Sequence, residues 1–117
     1  MTESLALALA QINPTVGDID GNVERIRAAR AEASAAAADL VIVGELAVSG
    51  YPPEDLVLKP AFQDAVADSI ARLAQDTDDG GPALIVGAPW PRDGKLYNAA
   101  LLLDGGRISA EVLKHEL

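Results

Sequence analysis

Glu45 is the residue of this sequence best placed to do chemistry. It comes directly after the short apolar run Leu40–Val43 and Gly44, and a turn-forming segment follows at residues 49–53. In an open α/β sheet, ligands bind in the crevice beyond the carboxyl ends of the strands. A carboxylate at that position can accept or donate a proton during a reaction. A helix cap or a solvated loop carboxylate is the alternative interpretation, and the pattern alone leaves both open.

Lys114 is the second candidate. Ile108, Ala110 and Val112 share the parity of one strand face, and Lys114 continues it. The pattern therefore predicts an ammonium group that points to the buried side, where it needs a partner or loses its proton. Glu45 is the obvious partner if the two strand ends converge. A surface lysine at a fraying strand end is the alternative.

The remaining polar residues form no familiar catalytic set. A single histidine, His115, and no Gly-x-Ser-x-Gly elbow argue against serine-hydrolase chemistry. His115 alternates away from Lys114, so we expect it to be exposed. Residues 44–50 match no phosphate-loop pattern. Glu54 and Asp55 have no second group of ligands nearby in the sequence, so we expect a solvated turn or cap and no metal site.

Composition limits the classes of partner. The 117 residues suit one domain or part of one, and half of them are apolar, so a core is possible. A net charge of −9 without a basic patch argues against nucleic-acid and anionic-membrane partners. The absence of cysteine excludes disulfides and fits a reducing compartment. With neither a signal peptide nor a long apolar segment, the expectation is a cytoplasmic protein.

Apolar periodicity predicts the elements that position these side chains. Residues 5–12 are apolar at both parities, which is typical of a strand covered on both faces. Val23, Ile26 and Ala33 belong to the apolar stripe of a first helix, and Arg30 lies mostly outside it. The predicted elements are strands at 5–12, 40–43 and 83–86, helices at 23–38 and 60–74, a capping turn at 17–22, and a polar loop at 75–81.

The last third of the chain has the pattern of a β-hairpin. Residues 96–103 and 107–114 are extended runs joined by a Gly-containing turn at residues 104–106. The preceding strand is expected to stop at residues 87–89, Gly-Ala-Pro. The order strand, helix, strand, helix, strand and antiparallel pair predicts an α/β fold. Its sheet would be mixed, with helices on at least one face.

Three segments in order resemble the carbon–nitrogen hydrolase (nitrilase) superfamily. These are residues 11–18 (QINPTVGD), residues 44–51 (GELAVSGY), and residues 50–56 (GYPPEDL) with the following residues 59–62 (KPAF). Lys114 follows at the end of a later strand. The third segment resembles one branch, the glutaminase domains of bacterial glutamine-dependent NAD synthetases. The similarity runs from residue 5 to residue 117.

The resemblance implies part of an α-β-β-α sandwich, a mixed sheet with helices on the outer face. It also implies a Glu-Lys-Cys triad in which Glu45 is the general base and Lys114 stabilises charge on the tetrahedral intermediate. Tyr51 would lie near the glutamine pocket, with a packed core aromatic as the alternative. The parent protein would use glutamine to supply ammonia for ATP-dependent synthesis of NAD from deamido-NAD. ATP and Mg²⁺ would bind a separate synthetase domain, no cofactor would bind this chain, and the parent would be a homo-oligomer.

The absent cysteine and the abrupt end at residues 115–117 predict the N-terminal portion of such a domain, inactive alone. Uncovered sheet surface and edges predict packing against other copies or within a larger molecule. Two alternatives remain. One is another amidase of the superfamily, such as an omega-amidase or a carbamoyl-amide hydrolase. The other is a non-catalytic α/β binding module in which Glu45 and Lys114 form a structural ion pair.

Overall fold

One five-stranded sheet forms the centre of the fold. The computed structural model of the chain describes residues 4–50 and 58–117. The strands lie side by side in chain order, the first three parallel and the last three antiparallel. They are β1 (Leu7–Ala10), β2 (Leu40–Val43), β3 (Ala83–Arg92), β4 (Lys95–Asp104) and β5 (Arg107–Glu116). The mixed sheet confirms the predicted α/β class.

The first helix, α1, spans Ile19–Ala35 and connects β1 to β2. Asp18 caps it, because its carboxylate accepts a hydrogen bond of 3.1 Å from the Gly21 N–H. The predicted capping turn is therefore confirmed, but the predicted start at residue 23 is four residues late. The Asp-Gly-Asn sequence at residues 20–22 is typical of a turn, whereas the cap at Asp18 makes it the first turn of the helix.

The second helix, α2, spans Pro60–Asp76 and connects β2 to β3. Proline is favoured at the first helical position, where its missing N–H is not needed, so the predicted start is confirmed. The helix continues into the predicted polar loop and is followed by a 3₁₀ turn at Thr77–Asp79. None of the helices in the described residues is long and apolar enough to cross a membrane.

Both helices pack against the same face of the sheet. The core between them contains fully buried side chains from strands and helices, among them Val41, Leu84, Leu101, Ile26 and Ile70. On the opposite face Leu7 and Leu9 are 55% and 77% exposed. The prediction that β1 is covered on both faces is therefore wrong within this chain, because no described element lies over the second face. β1 is also shorter than predicted.

β3 does not stop at residues 87–89 but continues through Pro89 to Arg92. Its pairing with β2 ends at Ile85, so the second half of β3 has a neighbouring strand only on the β4 side. Proline is tolerated on such an edge, since no ladder hydrogen bond is required there. The turn at residues 93–94, Asp-Gly with φ of 54° and 76°, then leads into β4. The antiparallel part therefore has three strands instead of the predicted two.

Arg30 is buried, contrary to the expectation that it lies outside the apolar stripe of α1. It is 8% exposed, and its Nε donates to the Pro82 carbonyl at 3.0 Å. Its terminal nitrogens donate to the two carboxylate oxygens of Asp79 at 2.9 and 2.7 Å. The bidentate pair is possible because the 3₁₀ turn after α2 brings Asp79 beside α1. The hydrogen bonds from Arg30 hold the pKa of Asp79 well below its ordinary value of 3.8.

We expect the free energy of unfolding to fall as the pH drops below about 4, because Asp79 binds a proton more readily in the unfolded chain. The stabilisation is complete above the unfolded pKa of 3.8 and is lost as the pH falls toward the lower folded pKa. Urea unfolding of the chain between pH 2 and pH 6 measures this dependence. Asp79→Asn should lower stability near neutral pH and flatten the acid part of the curve. The exposed Asp64→Asn control should do neither.

Candidate active site

Glu45 lies in the turn at residues 44–50, which follows β2 and rests on β3. The turn packs on β3 at Gly87, where a Cβ atom would lie 2.5 Å from the Leu46 nitrogen and 3.0 Å from the Glu45 Cα. The Val48 N–H donates to the Gly87 carbonyl at 3.3 Å. Only glycine allows the two backbones to approach this closely. Gly87 therefore sets the distance between the backbone of Glu45 and strand β3.

The other side of the same turn is held by α1 and the segment before it. Asn22 is fully buried, and its amide nitrogen donates to the Val48 carbonyl at 2.9 Å. The Gly17 N–H donates to the Ser49 carbonyl at 3.0 Å. Leu46, next to Glu45, has a φ of 51°, a left-handed conformation that is unusual for a bulky residue. Such conformations persist where the surrounding contacts enforce them, and they are concentrated at functional sites.

Lys114 reaches Glu45 from a β-bulge near the end of β5. Asn98 pairs with His115 and Ala99 with Leu113, so Lys114 is an extra residue without a partner on β4. Bulges bend a strand and redirect a side chain. The Lys114 Nζ lies 3.7 Å from the Glu45 Oε1. The structure therefore brings together the two residues that the sequence singled out.

The predicted parity of Lys114, on one strand face with Ile108 and Val112, was wrong. A first bulge, at Ser109, shifts the register, so that Ile108 pairs with Leu103 and Val112 with Ala100. Because the two β4 residues differ in parity, Ile108 and Val112 lie on opposite faces of the sheet. Val112 is 61% exposed, and the Lys114 side chain is 46% exposed rather than buried.

Asn98 of β4 also contacts Glu45. It is 1% exposed, and its Nδ2 donates a hydrogen bond to the Glu45 Oε1. Sequence reasoning missed this residue, although it is a polar side chain inside the apolar run of residues 96–103. An amide in the interior of a predicted strand is uncommon and was the signal that could have found it.

A cleft of about 520 Å³ opens beside Glu45. It is lined by residues 10–14, the end of β1 and the segment after it, together with Gly44, Glu45 and Ala47. Tyr51, the predicted substrate contact, lies outside the described residues, as do Glu54 and Asp55. His115 is exposed, as predicted. In residues 4–50 and 58–117 no three His, Cys, Asp or Glu side chains are grouped to hold a metal ion.

A carboxylate, an ammonium group and a cleft together can provide a proton acceptor and a fixed positive charge for an oxyanion. Residues 6–117 match the sequence profile of the carbon–nitrogen hydrolases. The chain belongs to the carbon–nitrogen hydrolase family. Within that family the match covers almost the whole chain, including Glu45, Asn98 and Lys114.

Individual proteins are also similar to this chain over most of its length. The chain is 47% identical over 118 residues to the glutamine-dependent NAD(+) synthetase of Rhodobacter capsulatus, covering 100% of this chain and 21% of that protein. The corresponding structure from Acinetobacter baumannii, in complex with ADP, superimposes with a TM-score of 0.85 at 34% identity. It covers 93% of this chain and 20% of that one. The chain thus spans about a fifth of the length of the curated relatives it matches.

A smaller family member shares the fold. A point mutant of the amidase of Nesterenkonia sp. AN1 superimposes with a TM-score of 0.79 at 27% identity, covering 94% of this chain and 42% of the amidase. In that structure the acetamide moiety of fluoroacetamide is covalently added at the active-site cysteine. The present 117 residues contain no cysteine.

Proposed function

We propose that this chain is the N-terminal portion of a glutaminase domain. The parent protein would hydrolyse the side-chain amide of glutamine, and the ammonia would serve ATP-dependent synthesis of NAD from deamido-NAD. The approach of the Lys114 Nζ to the Glu45 Oε1, 3.7 Å beside an open cleft, carries the proposal. The 47% identity to a glutamine-dependent NAD(+) synthetase supports the choice of substrate.

Glu45 acts as the proton carrier in this proposal. A cysteine from the remainder of the parent attacks the amide carbon of glutamine, and Glu45 takes the thiol proton. The ammonium of Lys114 stabilises the oxyanion of the tetrahedral intermediate. When the C–N bond breaks, Glu45 gives its proton to the leaving nitrogen, and ammonia departs from a glutamyl thioester. Glu45 then deprotonates the water that hydrolyses the thioester to glutamate and restores the thiol.

The other components belong to the parent as proposals. Tyr51 remains a candidate substrate contact. ATP and Mg²⁺ would be bound by the synthetase portion. These 117 residues contain neither the Gly-x-Gly-x-x-Gly pattern nor the Walker pattern of phosphate-binding loops. The open sheet face that carries Leu7 and Leu9 would be covered by the rest of the domain, and the parent would assemble as a homo-oligomer.

A second candidate is an amidase that acts on other amides. The structural likeness to the Nesterenkonia amidase favours it, because that protein has the same fold over 94% of this chain. The lower identity, 27% against 47%, makes it the weaker candidate. The two differ in their substrates. A synthetase parent should form NAD from deamido-NAD with ATP and glutamine. An amidase should release ammonia from amides without ATP or deamido-NAD.

Ammonia release from glutamine tests the proposal. The purified 117-residue chain should show no turnover above background, because it contains no cysteine to form the thioester. The full-length parent should release ammonia and couple it to NAD formation. Turnover by the 117-residue chain, or a parent that cleaves short aliphatic amides but leaves glutamine intact, would contradict the proposed function.

A further inference from the structure

We propose that Asn98 is a positioning residue for Glu45, holding the carboxylate of the base in its working orientation. This inference rests on the proposed function and deepens it. It assigns to β4 a role in a site whose other two members come from the turn after β2 and from β5. It explains why a buried amide interrupts an otherwise apolar strand.

The position of Asn98 in the sheet is unfavourable for its side chain. Asn98 lies between Pro89 of β3 and His115 of β5 and is 1% exposed. Asparagine is depleted in strands, and a buried amide lowers stability unless its polar atoms find partners. An apolar residue at this position would therefore stabilise the sheet more than asparagine does, so the amide is expected to have another role.

The hydrogen bonding of Asn98 points to that purpose. Its Nδ2 donates to the Glu45 Oε1, while its Oδ1 is buried without a donor in the described part of the chain. The buried Asn22 behaves differently. Its nitrogen donates to the carbonyls of Thr15 and Val48, and its oxygen accepts from the Thr15 N–H. Asn22 satisfies the backbone around it, whereas Asn98 makes its hydrogen bond to Glu45 and leaves its own oxygen unsatisfied.

The two carboxylate oxygens of Glu45 differ in their contacts. Asn98 and Lys114 both approach Oε1. No hydrogen-bond donor within residues 4–50 and 58–117 is directed at Oε2. The two contacts thus fix the carboxylate plane through one oxygen and leave the other available to take a proton.

Steady-state kinetics of the full-length parent test this role. Asn98→Ala should lower kcat for glutamine on the order of 10- to 100-fold, the effect expected for a misplaced catalytic group, with KM nearly unchanged. Asn98→Asp, which keeps the size of the side chain, should lower kcat at least as much because it sets a second carboxylate against Glu45. Ammonia-dependent NAD synthesis should not change.

Controls separate positioning from a loss of structure. Thr77→Val removes a buried hydroxyl that bonds the Ala74 carbonyl and the Gly106 N–H at the far end of the β4–β5 hairpin, so it should leave kcat for glutamine nearly unchanged.

Unchanged kcat in both Asn98 variants would overturn the role of Asn98. Equal losses of glutamine-dependent and ammonia-dependent synthesis, or a loss of kcat matched by Thr77→Val, would overturn it as well. The proposed function is judged separately by Glu45→Gln. If that variant is inactive and the Asn98 variants are not, only the positioning role fails. If Glu45→Gln keeps full glutamine hydrolysis, the proposed function itself fails.

Discussion

Glutamine hydrolysis by the full-length parent should fall by about 10²- to 10⁴-fold when Glu45 is replaced by glutamine, the usual effect of removing a general acid–base group. Gln keeps the size of the side chain and can accept a hydrogen bond, but it cannot take the proton of the nucleophile. The loss should appear in kcat, because the proton transfer belongs to the chemical steps. Ammonia release from glutamine at saturating substrate measures it.

Synthesis of NAD from free ammonia should survive in the same Glu45→Gln variant, because the proposed synthetase chemistry occurs outside these residues. Asp64→Asn, an exposed carboxylate on α2, provides a matched charge control and should leave both activities intact. The structural alternative makes a different prediction. A half-exposed ion pair contributes at most about 1 kcal/mol to stability. Glu45→Gln would then alter the free energy of unfolding slightly and leave glutamine hydrolysis unchanged.

Gly87→Ala should lower glutamine hydrolysis by about 100-fold or more, although Gly87 has no functional group. Its new Cβ would lie 2.5 Å from the Leu46 nitrogen and 2.8 Å from the Gly44 carbonyl oxygen, so the turn that carries Glu45 must move. A displacement of about 1 Å at a catalytic group is enough for an effect of this size. Overpacking at this contact should also lower the free energy of unfolding by about 1–3 kcal/mol.

Gly44→Ala is the matched control for this prediction. Gly44 precedes Glu45 directly, but a Cβ there would meet nothing within 4 Å. It should therefore have nearly wild-type stability. Measuring urea unfolding on both variants separates a general effect of replacing glycine from the specific contact at Gly87. Wild-type hydrolysis by Gly87→Ala would show that the height of the turn above β3 does not matter for the reaction.

The sequence predicted the elements well where each is specified by its own residues. Pro60 marked the start of α2, and the Gly-containing turn at residues 104–106 marked the β4–β5 hairpin. The prediction was wrong where a neighbouring element decides the outcome. Pro89 is compatible with a strand only because β2 ends before reaching it. Arg30 is buried because Asp79 and the Pro82 carbonyl lie beside it.

The candidate site shows the same division. Glu45 was the expected partner of Lys114 on the condition that the two strand ends converge, and the structure places the two side chains 3.7 Å apart. The predicted parity of Lys114 was wrong because the two bulges in β5 depend on pairing with β4, which the β5 residues do not specify alone. Asn98 was missed because the role of its buried amide depends on Glu45, which lies 53 residues away in the sequence.

The bulge at Lys114 also bears on how the length of this segment can vary. Deleting Ser109 would remove the first bulge and leave every pair from Ala110 onward in place. Deleting one residue from the regular stretch at residues 110–113 would instead draw Ser109 into the ladder and turn the side chains between Ser109 and the deletion to the other face of the sheet. Insertions and deletions among family members should therefore gather at the hairpin turn and at Ser109. The spacing from Ala110 to Lys114 should be constant.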